Sequence, residues 1–431
     1  MGTKRFGSFA LLAALALILA ACAPAATAVP TQPPAATQAQ QPTEAPMVEP
    51  TQAGPEQGEP YRIGAFFSST GPVSSLGVPE ANTATMVVDQ INAAGGVLGP
   101  DGQLHLIELK MYDDQSDATV AVEVAKKLIE EDQVPVIVGG TGSPQSIAVN
   151  ETVTAAEVPF ISVASSSAIV NNPDGTQYTW VFKTPQQNLP VAQVQLDWMT
   201  AHGFTKLASL GVNNAFGADS MAALRTVTPA AGIEIVYEGT FEPGTTDFSA
   251  QLTSVAVSGA EALVVHATPG EGAPLTVQFR DLGLEIPIIH NHGIGNQAFI
   301  DTAGEAAEGV LFPIGKLLVA EQLPDSDPQK APLLQYAADY NAAFGSAPST
   351  FGGHAWDGMM MVRAAFEAVG PDSAAIRDYL ETNLTNFVGI SGIFNITAED
   401  HTGIGKESLV LVQIAGGNWS YVSPTDYANV P

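Results

Sequence analysis

Between Tyr61 and Phe312 the chain alternates short, continuously apolar runs with stretches of helical period, and this pattern limits its possible folds more than anything else in it. The run 61–67 ends in Ser68-Ser69-Thr70-Gly71-Pro72. Behind it Ala84, Val87, Val88 and Ile91 recur at helical spacing until Gly95-Gly96 stops them. The cycle then repeats: 104–112 reads as a strand, Asp117 caps a helix carrying Ala121, Val124, Ala125 and Leu128 on one face, and 134–138 is a β-branched strand. Further strands are expected at 159–163, 207–212, 233–237, 262–266, 286–290 and 309–312. A strand that is apolar along its whole length is buried on both faces, which requires helices above and below a parallel sheet. These runs are too many for one sheet of ordinary width, about 4–6 strands. The expected class is therefore α/β, built as two doubly wound parallel-sheet lobes.

Charge removes several functions. The 431 residues carry 15 Lys and Arg against 44 Asp and Glu, a formal charge of -29. A surface this acidic repels phosphate backbones and anionic headgroups alike, so no nucleic-acid partner is expected. The single cysteine makes no internal disulfide and excludes zinc sites built on several thiolates.

That cysteine sits in a telling place. Lys4 and Arg5 precede an apolar run ending Leu19-Ala20-Ala21-Cys22, short of the roughly 20 residues a bilayer span needs. Residues 1–21 read as an export signal. The ending resembles the bacterial lipobox, which implies lipidation of Cys22 and a membrane anchor through lipid alone. Residues 22–59 are Pro, Thr, Gln and Ala without apolar periodicity, a disordered tether that holds the body away from a surface.

Ligands of doubly wound sheets bind beyond the carboxyl ends of the strands. After 134–138 comes Gly139-Gly140-Thr141-Gly142-Ser143-Pro144-Gln145, with Ser143 suited to the N-cap and Pro144 to the first helical position. A helix start presents unpaired N–H donors and a partial positive charge, a seat for a carboxylate or phosphate. The lysine of a Walker loop is missing. If the next strand is a neighbour, Ser165, Ser166 and Ser167 lie beside this loop. A plain capped helix and ordinary turn chemistry explain these residues equally well.

The chain has no Gly-x-Ser-x-Gly elbow, no His-Glu-x-x-His helix and no dinucleotide Gly-x-Gly-x-x-Gly after the first strand, so no enzyme is expected. His266, His290 and His292 stand near two strand ends and raise the question of a metal. No carboxylate or thiol accompanies them at ligand spacing, and neither a metal nor a cofactor is expected.

Several stretches together resemble the Leu/Ile/Val-type periplasmic solute-binding proteins, the receptors of branched-chain amino acid ABC transporters. They are Ile63-Gly64 with Ser69-Thr70-Gly71-Pro72, 89–99 (DQINAAGGVLG), Asp113-Asp114-Gln115-Ser116-Asp117, and the loop 140–146. Val158-Pro159-Phe160-Ile161-Ser162, Thr246-Asp247-Phe248-Ser249, 306–310 (AAEGV), Phe344-Gly345 and His354-Ala355-Trp356-Asp357 extend the likeness across nearly the whole body. The resemblance implies two lobes joined by a three-crossing hinge, closing on a small ligand, with lobe 1 over 60–184 and 317–405 and lobe 2 over 185–316 and 406–431. It implies that Ser143 binds the ligand carboxylate with the Ala164 backbone and Ser166, and that Leu76, Phe216, Thr268 and Phe351 line the pocket. The partners it implies are a small amino acid or organic acid and ABC permease and ATPase subunits, around a monomer outside the cytoplasm.

One position departs from the family pattern. Its amino acid binders commonly carry an acidic residue, which pairs with the ligand ammonium, where this chain has His292. Imidazole brings no full negative charge. Asp219, or another carboxylate that the sequence does not place, is expected to compensate. A receptor for a non-amino organic acid or amide, or a ligand sensor for a signalling partner, are the alternatives.

Overall fold

The computed structural model describes residues 55–430; the expected signal, Cys22 and most of the tether lie outside them. The body opens with strand β1 (Tyr61–Phe67), helix α1 (Ser74–Ala93) and a short antiparallel pair, β2 (Val97–Leu98) with β3 (Leu104–His105). Next come β4 (Ile107–Asp113), α2 (Ala118–Glu130), β5 (Ile137–Gly139), α3 (Ser143–Ala156), β6 (Phe160–Ser162) and β7 (Val181–Lys183). The first sheet has the order β4-β1-β5-β6-β7 and is parallel throughout.

The chain then leaves to build the second lobe from α4 (Asn188–Ala201), β8 (Lys206–Val212), α5 (Ala215–Ala231), β9 (Glu234–Phe241) and α6 (Ser249–Val257). β10 (Ala262–His266), α7 (Pro269–Asp281), β11 (Ile288–His290), α8 (Gln297–Ala303) and β12 (Leu311–Gly315) follow. It returns to the first lobe with α9 (Lys330–Phe344), α10 (Thr350–Val369), α11 (Ser373–Asn383) and the hairpin of β13 (Thr385–Val388) and β14 (Ile393–Asn395). Finally β15 (Leu409–Ala415) and β16 (Asn418–Val422) extend the second sheet antiparallel to β12, giving the order β16-β15-β12-β11-β10-β8-β9. The backbone thus passes between the lobes three times: after Lys183, after Gly315 and before Leu409.

Why the central strands are so apolar is visible in the cores. Ile63, Ala65 and Phe67 of β1 pack on one face with Val87 and Ile91 of α1 and Met359 and Val362 of α10. Phe66 faces the other way, against Ala121 and Ala125 of α2 and Val149 and Val153 of α3. In the second lobe Leu263 and Val265 of β10 join Phe248 and Phe279, while Ala262 and Val264 join Trp198 and Leu224. Alternate side chains serve opposite layers, so the central positions of these strands, Ile63–Phe67 of β1 and Ala262–Val265 of β10, are apolar or glycine.

The lobes share a construction that brings helix starts close to strand ends. A Cβ on Gly77, in the first turn of α1, would run into the Ser68 carbonyl, and one on Gly217, in the first turn of α5, into the Val212 carbonyl. Only glycine lets each helix start this close to the strand before it.

Three readings of the sequence change. The strand expected at 104–112 is broken at Leu106, its first part pairing antiparallel with β2 and its second with β1. The strand expected at 134–138 narrows to Ile137–Gly139. The second sheet is mixed rather than wholly parallel, because β15 and β16 arrive from the far end of the chain.

Candidate ligand-binding site

In each sheet the strand order reverses beside the first strand of the lobe, between β1 and β5 and between β8 and β10, so the connections diverge there and leave a crevice. The two crevices face each other across a cavity of about 250 Å3. This suits one small solute and falls below the range of about 300–1,000 Å3 usual for drug-sized ligands. Its first-lobe wall comes from the loops after β1, β4, β5 and β6, and its second-lobe wall from those after β8, β9, β10 and β11. Phe351 and His354 of α10 and Pro185 of the first passage complete the lining.

The loop after β5 is held by its own side chains. Gly140 takes a φ of +75°, and the Ser146 hydroxyl donates to its carbonyl at 2.8 Å. The Thr141 hydroxyl accepts from the Ser68 N–H at 2.9 Å and donates to Glu80 at 2.5 Å, so its one proton is committed to bracing the wall. Burial raises the Glu80 carboxyl well above its ordinary range, with nearby Asp114 adding to the effect. Glu80 is packed behind the cleft, where burial disfavours its charged form.

Ser143 does not cap α3 as expected. Gly142 is the N-cap and makes no side-chain cap bond, while Ser143 is the first helical residue. Its Oγ instead accepts the Ser166 N–H at 3.3 Å. That leaves the O–H of a nearly buried hydroxyl to donate elsewhere, beside first-turn N–H groups that have no acceptor within the helix. Behind this seat Lys183, wholly buried, donates from Nζ to the Ser165 carbonyl at 2.5 Å. Desolvation lowers its pKa to about 7, opposed by the charges of Asp219 and Asp400.

Of the other expected residues, Leu76, Ala164, Phe216, Thr268, His292 and Phe351 all line the cavity. Ser166 does not: its hydroxyl accepts the Ala168 N–H at 3.3 Å, which places it in the turn behind the wall. The Ala164 N–H is likewise engaged, donating to Ser162 Oγ at 3.1 Å. Asp219 faces away from the cavity; it accepts from the Ser167 N–H and hydroxyl and from the Asn188 amide, tying the first lobe to α5.

The three histidines separate. His266 meets Ser209 Oγ at 3.2 Å and His290 meets Thr276 Oγ1 at 2.9 Å, both inside the second lobe. His292 faces the cavity. Its ring stands edge-on to Phe216, with centroids 5.7 Å apart, and neither ring nitrogen has a partner among the described residues. Burial, with the charges of His354 and Lys183 adding to it, lowers its pKa to about 3, so the ring is neutral. No group of three His, Cys, Asp or Glu placed to hold a metal occurs among the described residues.

Sequence reasoning missed Gln145, Asn214, Glu271 and His354, all of which line the cavity. The spacing Thr268-x-x-Glu271 at a helix start was the one local signal for Glu271. His354 reaches the site from a distant helix and carried no such signal.

The Leu/Ile/Val-binding protein BraC3 of Rhizobium johnstonii is 27% identical over 311 residues, 72% of this chain and 79% of its own length. An extracellular ligand-binding receptor from Rhodopseudomonas palustris superimposes with a TM-score of 0.76 at 26% identity, covering 85% of this chain and all of the other. The branched-chain amino acid transporter substrate binding protein LivJ of Streptococcus pneumoniae, solved with isoleucine, gives 0.73 at 25% identity, covering 84% and 99%. No helix among the described residues is long and apolar enough to cross a membrane. With two doubly wound lobes, three passages and a cavity between the sheets' carboxyl ends, and with the family profile matching residues 60–418, the chain belongs to the periplasmic binding protein family, in its type I fold.

Proposed function

We propose that this protein is the extracytoplasmic receptor of an ABC importer, capturing a small carboxylate-bearing solute, a branched-chain or other apolar amino acid, by hinge closure. The observation that carries the reading is the Ser143 hydroxyl, oriented by the Ser166 N–H, at the start of α3 within a cavity shared by both lobes. Oriented dipoles in a nearly dry cleft stabilise a carboxylate without a contacting cation. Leu76, Phe216 and Phe351 offer apolar surface for the solute's side chain.

Capture needs no bond to be made or broken. The open form takes the solute on one lobe, and contacts from the other favour the closed form. The lobes are 60–184 with 317–405 and 185–316 with 406–431, and the transporter reads the closed shape. The receptor acts as a monomer tethered by lipid at Cys22. A non-amino organic acid is the second reading, favoured by the neutral ring of His292 where an acid would face an ammonium group.

The test is thermal shift on protein unfolded and refolded to strip carried-over ligand, against apolar amino acids, keto and aromatic acids, amides and divalent metals. Apolar amino acids are expected to raise the melting temperature by mass action. No shift with any carboxylate would end this reading.

A further inference from the structure

Lys183, the last residue of β7, is wholly buried, and none of the ion pairs among the described residues includes it. A protonated amine carries three donors, and this one has a single acceptor among the described residues, the Ser165 carbonyl at 2.5 Å. The acids whose charges reach it are engaged elsewhere. Asp219 of α5 accepts from Ser167 and Asn188, and Asp400, after β14, accepts from the Thr402 and Gly403 N–H groups. Burying an amine with no carboxylate in contact is unfavourable unless a counter-charge comes close. Anchoring the first passage does not require that charge: the Lys183 N–H already bonds to the His401 carbonyl, and the Thr184 hydroxyl to the His354 carbonyl at 2.9 Å.

Ser165 lines the cavity, and the peptide group joining it to Ser166 is held at both ends. Its carbonyl accepts from Lys183, and its N–H donates to Ser143 Oγ at 3.3 Å. The carbonyl and N–H of a peptide group point in opposite directions. Amine, peptide and hydroxyl thus form one chain of hydrogen bonds that ends at the start of α3. Bonds in such a chain polarise one another. A positive Lys183 makes the Ser166 N–H a stronger donor, and the Ser143 O–H a stronger donor in turn.

We propose that Lys183 is a positioning residue for the solute's carboxylate, supplying the positive charge of its seat from behind the wall, through the Ser165–Ser166 peptide and Ser143. This rests on the carboxylate reading of the preceding section and adds a charge that no residue in contact with the solute provides. Capture is then linked to one proton. Desolvation brings the Lys183 amine down to about 7, so at pH 8 it is mostly neutral in the empty protein, and an arriving carboxylate favours its charged form. Below 7 the amine is already charged, and binding draws in no proton. The groups facing it are Asp219, Asp400, His401, whose ring meets Glu381 of α11 at 3.2 Å, and the cavity rings His292 and His354, both held near 3 by burial. Asp357 and Glu80, raised by burial, are the other buried groups able to exchange a proton, and removing Lys183 separates them from it.

The test is calorimetry on the refolded chain in phosphate and in Tris, whose different ionisation heats reveal the protons exchanged on binding. The probes are L-leucine and its α-keto acid, with L-leucinol and the keto acid's amide as partners that lack the carboxylate. At least one acid should bind with uptake of about half a proton or more at pH 8 and almost none at pH 5.5. Lys183→Met should abolish the uptake and weaken that acid about tenfold or more at pH 6.5. Lys183→Arg, whose charge does not titrate, should abolish the uptake and keep the binding, which decides the matter should Lys183→Met fail to fold. Acid binding without uptake in the wild type, uptake retained in either variant, or equal uptake with the uncharged partners would overturn the assignment and leave the carboxylate receptor standing. Binding of neither acid at either pH would overturn both.

Discussion

The side-chain amide of Asn296 donates to the Ser75 carbonyl at 2.6 Å, joining the second lobe to the first helix of the other. Further bonds cross the same divide, among them the Thr350 hydroxyl to the Gly295 carbonyl at 3.0 Å and the Ser167 N–H to Asp219 at 3.1 Å. All three depend on the lobes being together, so they belong to the energy of closure rather than to either lobe's own stability.

Asn296→Ala should therefore weaken solute affinity while leaving the melting temperature of the ligand-free protein nearly unchanged. One hydrogen bond is worth about 0.5–1.5 kcal/mol net, roughly a threefold to tenfold loss in affinity. Calorimetry read beside melting curves separates the two effects, and a drop in ligand-free stability alone would count against a closure role.

Ser143→Ala removes a donor from the carboxylate seat and should cost about 1.5–3 kcal/mol of binding, the range for bonds to charged groups. Ser166→Ala should cost much less, because that hydroxyl serves the Ala168 N–H in the turn. Equal losses from the two variants would mean that the solute contacts Ser166 directly.

Gly293→Ala should disturb the site through the backbone. A Cβ there would meet the Ala267 carbonyl and approach Phe216 Cζ at 2.9 Å, displacing the turn that carries His292. Overpacking of this kind costs about 1–3 kcal/mol, read as a lower melting temperature together with weaker binding. Retained affinity would show that the turn has room to shift.

Acid should destabilise the fold through its buried histidines. Burial lowers His266, His290, His292 and His354 from 6.5 to about 3. The unfolded chain takes up protons at these rings that the folded one refuses, so their stability contribution is complete above 6.5 and is lost as pH falls toward about 3. Asp357, raised to about 7 by burial, acts in the opposite sense and gains stability over part of the same window. His290→Gln isolates one ring: its melting temperature should fall less steeply than the wild type's between pH 6.5 and 4. Parallel curves would show that His290 is not a source of the acid loss.

Much of the fold was legible because strands such as Ala262–His266 run apolar from Ala262 to Val265, a pattern that parallel sheets between two helical layers demand. The loop after β5 was legible through its glycines and hydroxyls. Its cap was not: Gly142 rather than Ser143 caps α3, since Ser143 Oγ is drawn to the Ser166 N–H in the loop after β6, which only the sheet brings alongside. β15 and β16 were missed for a similar reason, their place in the second sheet being set by pairing with β12 about a hundred residues earlier.

What the sequence determined by itself was the α/β class, a body beginning near residue 60 and a set of strand-end loops bearing polar groups, because periodicity and turn chemistry act over a few residues. Tertiary structure decided which of those groups share a cavity. It turned Ser166 and Asp219 away and brought in Glu271 and His354, because a side chain's surroundings depend on strand order and lobe contact, which no local spacing encodes.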